Sequence, residues 1–280
     1  MNVATLSYLP TPARIAAVVP ESDDTRTFVL DLPERCLRPP IPGQFVMLSV
    51  LGHGEAAFSV SSLHREARVH SLSLTVRRVG GLTNALFALA PGAAVGIRGP
   101  FGRGFPDFPE DAAVLFVAGG CGLAPLRPAI ERRLVTRSGE APTYVVYGAH
   151  DPDARILRAD LERWRVQEGV VVIDPVEESG PRWTGARGDV ASALACALAE
   201  RIPDRVAACG PPGMLAAVAR RLRAAGVSDQ HVWFAIERQM KCGLGICGRC
   251  YVDDRYVCRE GPVFTLAELD EIDPTTAGHD

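Results

Sequence analysis

The fold class that this 280-residue chain predicts is multidomain: an antiparallel β-barrel, an α/β parallel-sheet domain and a small C-terminal loop domain rich in cysteine. Three observations predict it. Short β-branched runs separated by Pro and Gly fill residues 1 to about 108. From Ala113 to Ala235, apolar strands alternate with helical segments. The tail then places Cys242, Cys247, Cys250 and Cys258 in a C-x4-C-x2-C-x7-C array. Domains are accordingly expected at 1–108, 109–236 and 237–280.

In the first region the expected strands are Arg14–Val19, Thr25–Leu30, Phe45–Val50, Ala57–Ser61, Ser71–Val79 and Ala94–Arg98. Pro20, Pro33, Pro42-Gly43, Gly80-Gly81, Pro91-Gly92 and Gly99-Pro100 punctuate them. Six short strands at that pitch suggest a small antiparallel barrel, with one helical turn at Leu82–Leu89. The FPDFP stretch, Phe105–Pro109, reads as a linker.

In the second region, Val114–Ala118 is a continuous apolar strand, followed by the turn GGCGLAP and a helix from Pro125 to Thr136. Strands Thr143–Tyr147, Val170–Asp174, Val206–Cys209 and His231–Ala235 follow, with helices Ile156–Val166, Val190–Glu200 and Pro212–Ala225 between them. This alternation gives a parallel sheet whose strand C-termini face a ligand crevice. Glycines after the first strand let backbone approach a phosphate, and the helix behind them favours its negative charge. The loop is not G-x-G-x-x-G, so a tight turn chosen for packing stays open as its purpose. Cys209-Gly210-Pro211-Pro212 ends another buried strand, where a free cysteine also serves as core.

The cysteine array has the ligand order of plant-type [2Fe–2S] ferredoxins. An iron pair needs four thiolates converging from a closely wrapped backbone. Gly243, Gly245 and Gly248 sit where side chains would crowd it. A tetrahedral zinc site or disulfides are the alternatives, but zinc ribbons pair two C-x2-C units, and here the last cysteine stands alone.

Composition excludes several classes. A net charge of −3 with no basic block argues against nucleic acid. The longest apolar run, Ala112–Leu126, is interrupted by Gly119, Gly120 and Gly122 and is too short to span a bilayer. The first twenty residues lack a basic region leading into an apolar core, and the remaining cysteines (Cys36, Cys121, Cys196, Cys209) are scattered, so a reducing cytoplasm is expected. His53, His64, His70, His150, His231 and His279 show no metal-ligand spacing.

Taken together, these pieces resemble the ferredoxin-NADP reductase superfamily. The matching residues are Pro42-Gly43-Gln44-Phe45, Phe58-Ser59-Val60-Ser61-Ser62, Gly99-Pro100-Phe101-Gly102, GGCGLAP, and CGPPGM at Cys209–Met214. With the cluster loop ending in Gly261-Pro262-Val263-Phe264, the set resembles the gamma, diaphorase-type subunit of cytoplasmic NAD(P)-linked nickel–iron hydrogenases. The electron-transfer subunits of dihydroorotate dehydrogenase and anaerobic sulfite reductase are similar. The likeness spans about residues 10 to 265.

The resemblance implies cofactors: FAD, a [2Fe–2S] cluster, and NADP(H) or NAD(H). It places Phe58 and Ser59 against the isoalloxazine, with the Ser59 hydroxyl near N5 and Val60 and Ser61 completing the motif. Val76 and Arg77 would contact the flavin from the next strand, and Gly81, Leu82 and Thr83 would meet the FAD pyrophosphate. Gly120, Gly122, Leu123 and Ala124 would approach the NAD(P)H pyrophosphate, with Cys209, Gly210 and Pro211 beside the nicotinamide. The positions assigned to the reaction itself are Ser59 and Cys209. Cys242, Cys247, Cys250 and Cys258 would hold the cluster.

One departure is visible. Relatives of the wider superfamily carry Arg-x-Tyr-Ser at the flavin loop, where this chain has Ala56-Ala57-Phe58-Ser59. Arg77, Arg78 and Arg98 are candidates for the missing charge, or they are ordinary surface. Glu237 is expected on a plain surface, with a place beside the nicotinamide as the alternative. For the nucleotide, Arg155 and Arg158 would suit a 2′-phosphate, whereas Asp151 and Asp153 would suit an unphosphorylated ribose, and NADP(H) is the expectation.

A nicotinamide delivers two electrons, a flavin takes two and releases them singly, and a [2Fe–2S] cluster carries one. The family order therefore implies a two-to-one electron splitter. A cluster with no substrate pocket behind it implies a partner subunit. The seven-residue gap between Cys250 and Cys258 is nearer the hydrogenase and sulfite reductase subunits than the dihydroorotate dehydrogenase ones, and of these a nickel–iron hydrogenase complex with an iron–sulfur subunit is the favoured partner. A stand-alone reductase and a non-catalytic zinc module are the other classes.

Overall fold

The protein is described here by a computed structural model covering residues 8–33, 37–66, 69–138 and 141–279. Cys36 lies outside the described residues.

The barrel is formed by β1 (Thr11–Pro20), β2 (Thr25–Leu32), β3 (Phe45–Val50), β4 (Gly54–Ser59), β5 (Ser62–Glu66), β6 (Val69–Arg77) and β7 (Ala94–Phe101), with α1 (Gly81–Phe87) before β7. The strand order is β4-β3-β7-β1-β2-β6-β5, and every pairing is antiparallel. The two edge strands are consecutive in the chain, so the sheet curls back on itself. At the seam, Ser61 donates its amide (2.8 Å) and its hydroxyl (3.0 Å) to the Ser73 carbonyl. Phe28, Leu30, Leu48, Leu74 and Ile97 fill the interior.

This sheet has seven strands where six were expected. The run expected at Ala57–Ser61 is the end of β4, which stops at Ser59, and a separate strand that was not expected, β5, follows from Ser62. This strand, SLHRE, is a polar edge strand with no β-branched residue to announce it.

The second sheet holds β8 (Val114–Gly119), β9 (Thr143–Gly148), β10 (Val170–Ile173), β11 (Arg205–Cys209) and β12 (Val232–Ala235). These five run parallel in the order β10-β9-β8-β11-β12. Every residue of β8 and β9 is buried, because helices cover both faces. Helices α2 (Leu123–Thr136) and α3 (Arg158–Arg165) pack over Phe116 and Val145 on one side. Helices α4 (Val190–Glu200) and α5 (Pro212–Ala224) pack over Val117 and Val146 on the other. The third helix begins at Arg158 rather than Ile156 because Leu157 sits in the left-handed region, with φ 52°. His231 belongs to a short 3-10 turn ahead of β12.

The tail contains β13 (Tyr251–Val252), β14 (Arg255–Tyr256), α6 (Val257–Glu260), β15 (Val263–Thr265) and α7 (Leu266–Ile272). Strand β15 pairs antiparallel with β12, so the tail supplies an edge strand to the α/β sheet. Thr265 and Glu268 close a capping box at the start of α7. Arg103, just after the barrel, binds this corner: it donates to the Val263 carbonyl at 2.7 Å and to both Glu268 oxygens at 2.8 and 2.6 Å. Partial burial pushes the Glu268 carboxyl up, but Arg103 and the Thr265 amide outweigh it and hold it at about 2.

The FPDFP stretch is packed rather than free. Phe105 is buried, and Phe108 meets Phe116 and Trp233 edge-on at 5.8 Å. The buried Arg133 guanidinium donates to the carbonyls of Pro109, Glu110 and Ala112 at 2.8, 3.0 and 2.7 Å. The linker is thus packed on the α/β domain, and at its other end the Phe105 amide donates to the Pro42 carbonyl of the barrel at 2.7 Å.

Candidate functional site: a cleft between barrel and sheet, and a cysteine loop beside it

The strand order of the α/β sheet reverses between β8 and β11, and open α/β sheets bind ligands at such a point. The turns after these strands, Gly119–Gly122 and Cys209–Pro212, form one wall of a cleft of about 570 Å³. The barrel supplies the opposite wall through Phe58 and Ser59 of β4 and Thr75, Val76 and Arg77 of β6. Glu237, Arg238 and Met240 close one end. The volume lies within the range of small-molecule sites, and its walls combine apolar surface with open backbone.

The glycines of the GGCGLAP turn divide by role. A Cβ on Gly122 would lie 2.1 Å from the Cys209 carbonyl oxygen, so this glycine lets the two turns touch. Gly120 has φ +52° and open space where a Cβ would be, leaving its backbone free toward the cleft. Of the two purposes the sequence left open, packing holds at Gly122, while Gly120 leaves backbone open on the cleft. Ala124 lines the cleft, while Leu123 is buried in the core.

The other expected residues also sort by position. Val60 is inside the barrel and Ser61 belongs to the seam, its hydroxyl accepting from Thr75 at 3.0 Å. Both lie behind the cleft wall. Gly81, Leu82 and Thr83 start α1 beyond Val79, which does line the cleft. The Thr83 hydroxyl accepts from the amides of Val79 and Gly80 at 2.9 Å each and so shapes that turn. Cys209 is buried at the base of its turn, and burial pushes its thiol well up, so it stays protonated.

Among the candidate arginines, Arg77 pairs with Asp24 at 2.7 Å on the cleft rim. Arg78 lies over the Phe87 ring. Arg98 is not on the cleft: its side chain is buried against Glu55, and it donates to the Cys242 carbonyl at 3.1 Å. It therefore cannot supply the charge missing from the flavin loop.

One cleft residue was left open by the sequence and one escaped it. Glu237, expected on a plain surface with a place at the cleft as the alternative, follows β12 directly and lines the cleft while staying exposed, and the flanking walls push its carboxyl up. Its position at the end of a buried strand was the available signal. Cys121 lines the cleft opposite Arg77, with its thiol raised by burial. Nothing about a lone cysteine in a glycine turn marks it in advance.

At the far end of the sheet, a second hollow of about 640 Å³ is lined by Asp151, Asp153, Glu178, Arg182 and Trp183. The arginines expected to serve a 2′-phosphate are occupied. Arg155 is bound to Asp174 and stacked 5.1 Å over the Trp183 ring. Arg158 donates to the backbone carbonyls of Arg155 and Asp153 at 3.0 and 2.9 Å.

In the cysteine loop, Gly243, Gly245 and Gly248 all have φ near +70°, at 73°, 71° and 73°. The turns they make aim backbone N–H groups at sulfur: Leu244 donates to Cys242 at 3.3 Å and Gly245 to Cys258 at 3.1 Å. Burial opposes ionisation of Cys242, but three N–H donors overcome it and hold its thiol at about 6. Cys258, buried and beside Cys250, is pushed up to about 12. No three His, Cys, Asp or Glu side chains among the described residues are already closed into a metal cage. The donor chemistry nonetheless suits iron and sulfide: four thiols within one loop, no imidazole, and amides turned toward sulfur.

Three family models match the chain, one after another. Residues 12–105 match the oxidoreductase FAD-binding domain, 116–220 the oxidoreductase NAD-binding domain, and 237–270 the iron–sulfur cluster binding domain of dihydroorotate dehydrogenase B. The chain is 33% identical over 236 residues to the sulfhydrogenase 1 gamma subunit of Pyrococcus furiosus, covering 81% of this chain and 80% of the relative. It is 37% identical over 267 residues to a probable dihydroorotate dehydrogenase B (NAD+) electron transfer subunit of Methanopyrus kandleri, covering 95% and 94%. Among solved structures, an NADH-dependent reduced ferredoxin-NADP oxidoreductase shares the fold, with a TM-score of 0.74, 23% identity and coverage of 98% and 96%. Barrel, nucleotide-binding sheet and cysteine loop follow one another as they do in these proteins, and the chain belongs to their family: NAD(P)H-dependent oxidoreductases of the ferredoxin-NADP reductase type that carry FAD and an iron–sulfur cluster.

Proposed function

We propose that this chain is the NADH-oxidising electron-transfer subunit of a redox complex, with Phe58, Ser59 and Val76 holding the flavin ring and Cys209–Pro211 the nicotinamide. When bound, the nucleotide supplies a hydride, the flavin separates the electron pair and the cluster carries single electrons. The chain's own residues bind, orient and exclude water. The single observation that carries the reading is the cleft at the strand-order reversal, walled by barrel on one side and by two βα turns on the other. Hydride transfer needs no general base, so the protonated Cys209 thiol acts through shape.

NADH rather than NADPH is the proposed donor. Asp151, Asp153 and Glu178 outnumber Arg182, the one arginine in the lining of the outer hollow, while Arg155 and Arg158 are engaged within the chain. A carboxylate accepts from a ribose hydroxyl and repels a phosphate.

The partner we favour is a nickel–iron hydrogenase, supported by the short Cys250–Cys258 gap, which the two-stranded turn β13–β14 spans. A second reading, delivery to a dihydroorotate dehydrogenase catalytic subunit, rests on the 37% identity over 95% of the chain. Anaerobic affinity purification of the tagged chain from its host, with metal and flavin analysis of its companions, tests both. Nickel with hydrogen uptake supports the first, and a nickel-free FMN protein oxidising dihydroorotate the second. A chain that purifies alone with full NADH-dependent reductase activity overturns the subunit reading.

A further inference from the structure

The barrel reaches into the cysteine loop at one buried point. Arg98 lies in the middle of β7, and its side chain is 6% exposed. Its Nε donates to Glu55 at 2.8 Å, and its Nη2 binds the second Glu55 oxygen and also the Cys242 carbonyl, at 3.1 Å. Its Nη1 is buried and has no acceptor among the described residues. Glu55 is on β4, paired opposite Ser49 of β3, so strand register places both partners. The Phe101 ring packs under the guanidinium at 5.6 Å and also against the backbone of Gly243.

Burying an ion pair here is costly, and packing alone would be served as well by apolar side chains. What an apolar pair could not provide is a directed dipole. The carboxylate lies on the barrel side and the guanidinium on the side of Cys242.

Resting on the cluster reading above, we propose that Arg98 is a positioning residue for the iron–sulfur centre, and that the Glu55–Arg98 dipole, positive end toward Cys242, raises the cluster's reduction potential while joining the loop to the flavin barrel. Reduction adds a negative charge to the cluster, and a nearby cation in a poorly screened interior stabilises that form. Potential is therefore set from the barrel, by a residue at least 144 positions in sequence from the cysteines of the loop.

The test is a potentiometric titration of the cluster's electron paramagnetic resonance signal in the anaerobically purified full chain. Arg98→Met leaves Glu55 uncompensated, and the potential is expected to fall, with at least a tenfold change in the reduced-to-oxidised ratio at fixed potential, or about 59 mV for a one-electron couple. Glu55→Gln leaves Arg98 uncompensated, and the potential is expected to rise. The double variant R98M/E55Q removes both charges, so it avoids a lone buried ion and is expected to lie between the single variants. A purely structural role would move both single variants in the same direction, or neither, and either result overturns the proposal. Wild-type protein that carries no iron–sulfur signal overturns the cluster reading, and this proposal with it.

Discussion

The cleft and the cysteine loop are built by opposite strategies. The cleft draws on residues from Phe45 to Pro262, contributed by both sheets and by the turn after β12. The cleft does not exist until β8 and β11 lie side by side and the barrel is set beside them through Arg103, Phe105 and the linker held by Arg133. The loop contains its four sulfurs within 17 residues and aims its own amides at two of them. The first site is a consequence of tertiary structure, the second of local sequence. A local substitution should therefore empty the loop and spare the cleft, whereas damage to packing should spread through the cleft.

The largest effect is expected at the loop. Cys258→Ser should reduce bound iron and sulfide to a small fraction of wild type while leaving flavin content and NADH-dependent dye reduction within about twofold. Loss of flavin in parallel would mean that the two sites are not separable. The mirror test is Gly122→Ala, whose methyl group would collide with the Cys209 carbonyl oxygen at 2.1 Å. Backbone cannot yield cheaply, so about 1–3 kcal/mol of stability should be lost with a drop of at least about tenfold in kcat/KM for NADH. Iron content should stay near wild type. Gly120→Ala, with open space but φ +52°, should cost only about 1 kcal/mol of backbone strain. Thermal unfolding compares the pair.

A smaller effect sharpens the reading of the cleft's outer end. NADH should exceed NADPH in kcat/KM by at least about tenfold, or about 1.4 kcal/mol. Replacing Asp153 and Glu178 with alanine should narrow the ratio, chiefly through KM for NADPH. An unchanged ratio would place discrimination elsewhere.

The smallest effect concerns the joint between the two regions. Glu268 is held at about 2, below its ordinary 4.5, so the unfolded chain binds its proton first as pH falls. Its stabilisation is complete above about pH 4.5 and is lost as pH falls through about 2. Because its side chain is 31% exposed, screening reduces the contribution to roughly 1 kcal/mol. Glu268→Gln should flatten the acid limb of an unfolding curve over that window and change little at neutral pH.

The sequence by itself determined everything whose physics is local. Cysteine spacing and glycines specify the cysteine loop, because its thiols and amide donors share one short stretch of chain. Continuous apolar strands specify β8 and β9, because both of their faces are buried. Turn residues after buried strands mark the cleft wall that ligands approach. Strand β5 was hidden because edge strands carry polar residues that do not announce them. Only the tertiary structure decided which charges are free. It gave Arg155 to Asp174, Arg98 to Glu55 and Cys242, and turned Glu237 into the cleft. A charged side chain's role is set by the partner it meets, and those partners lie 19, 43 and 144 residues away in the chain.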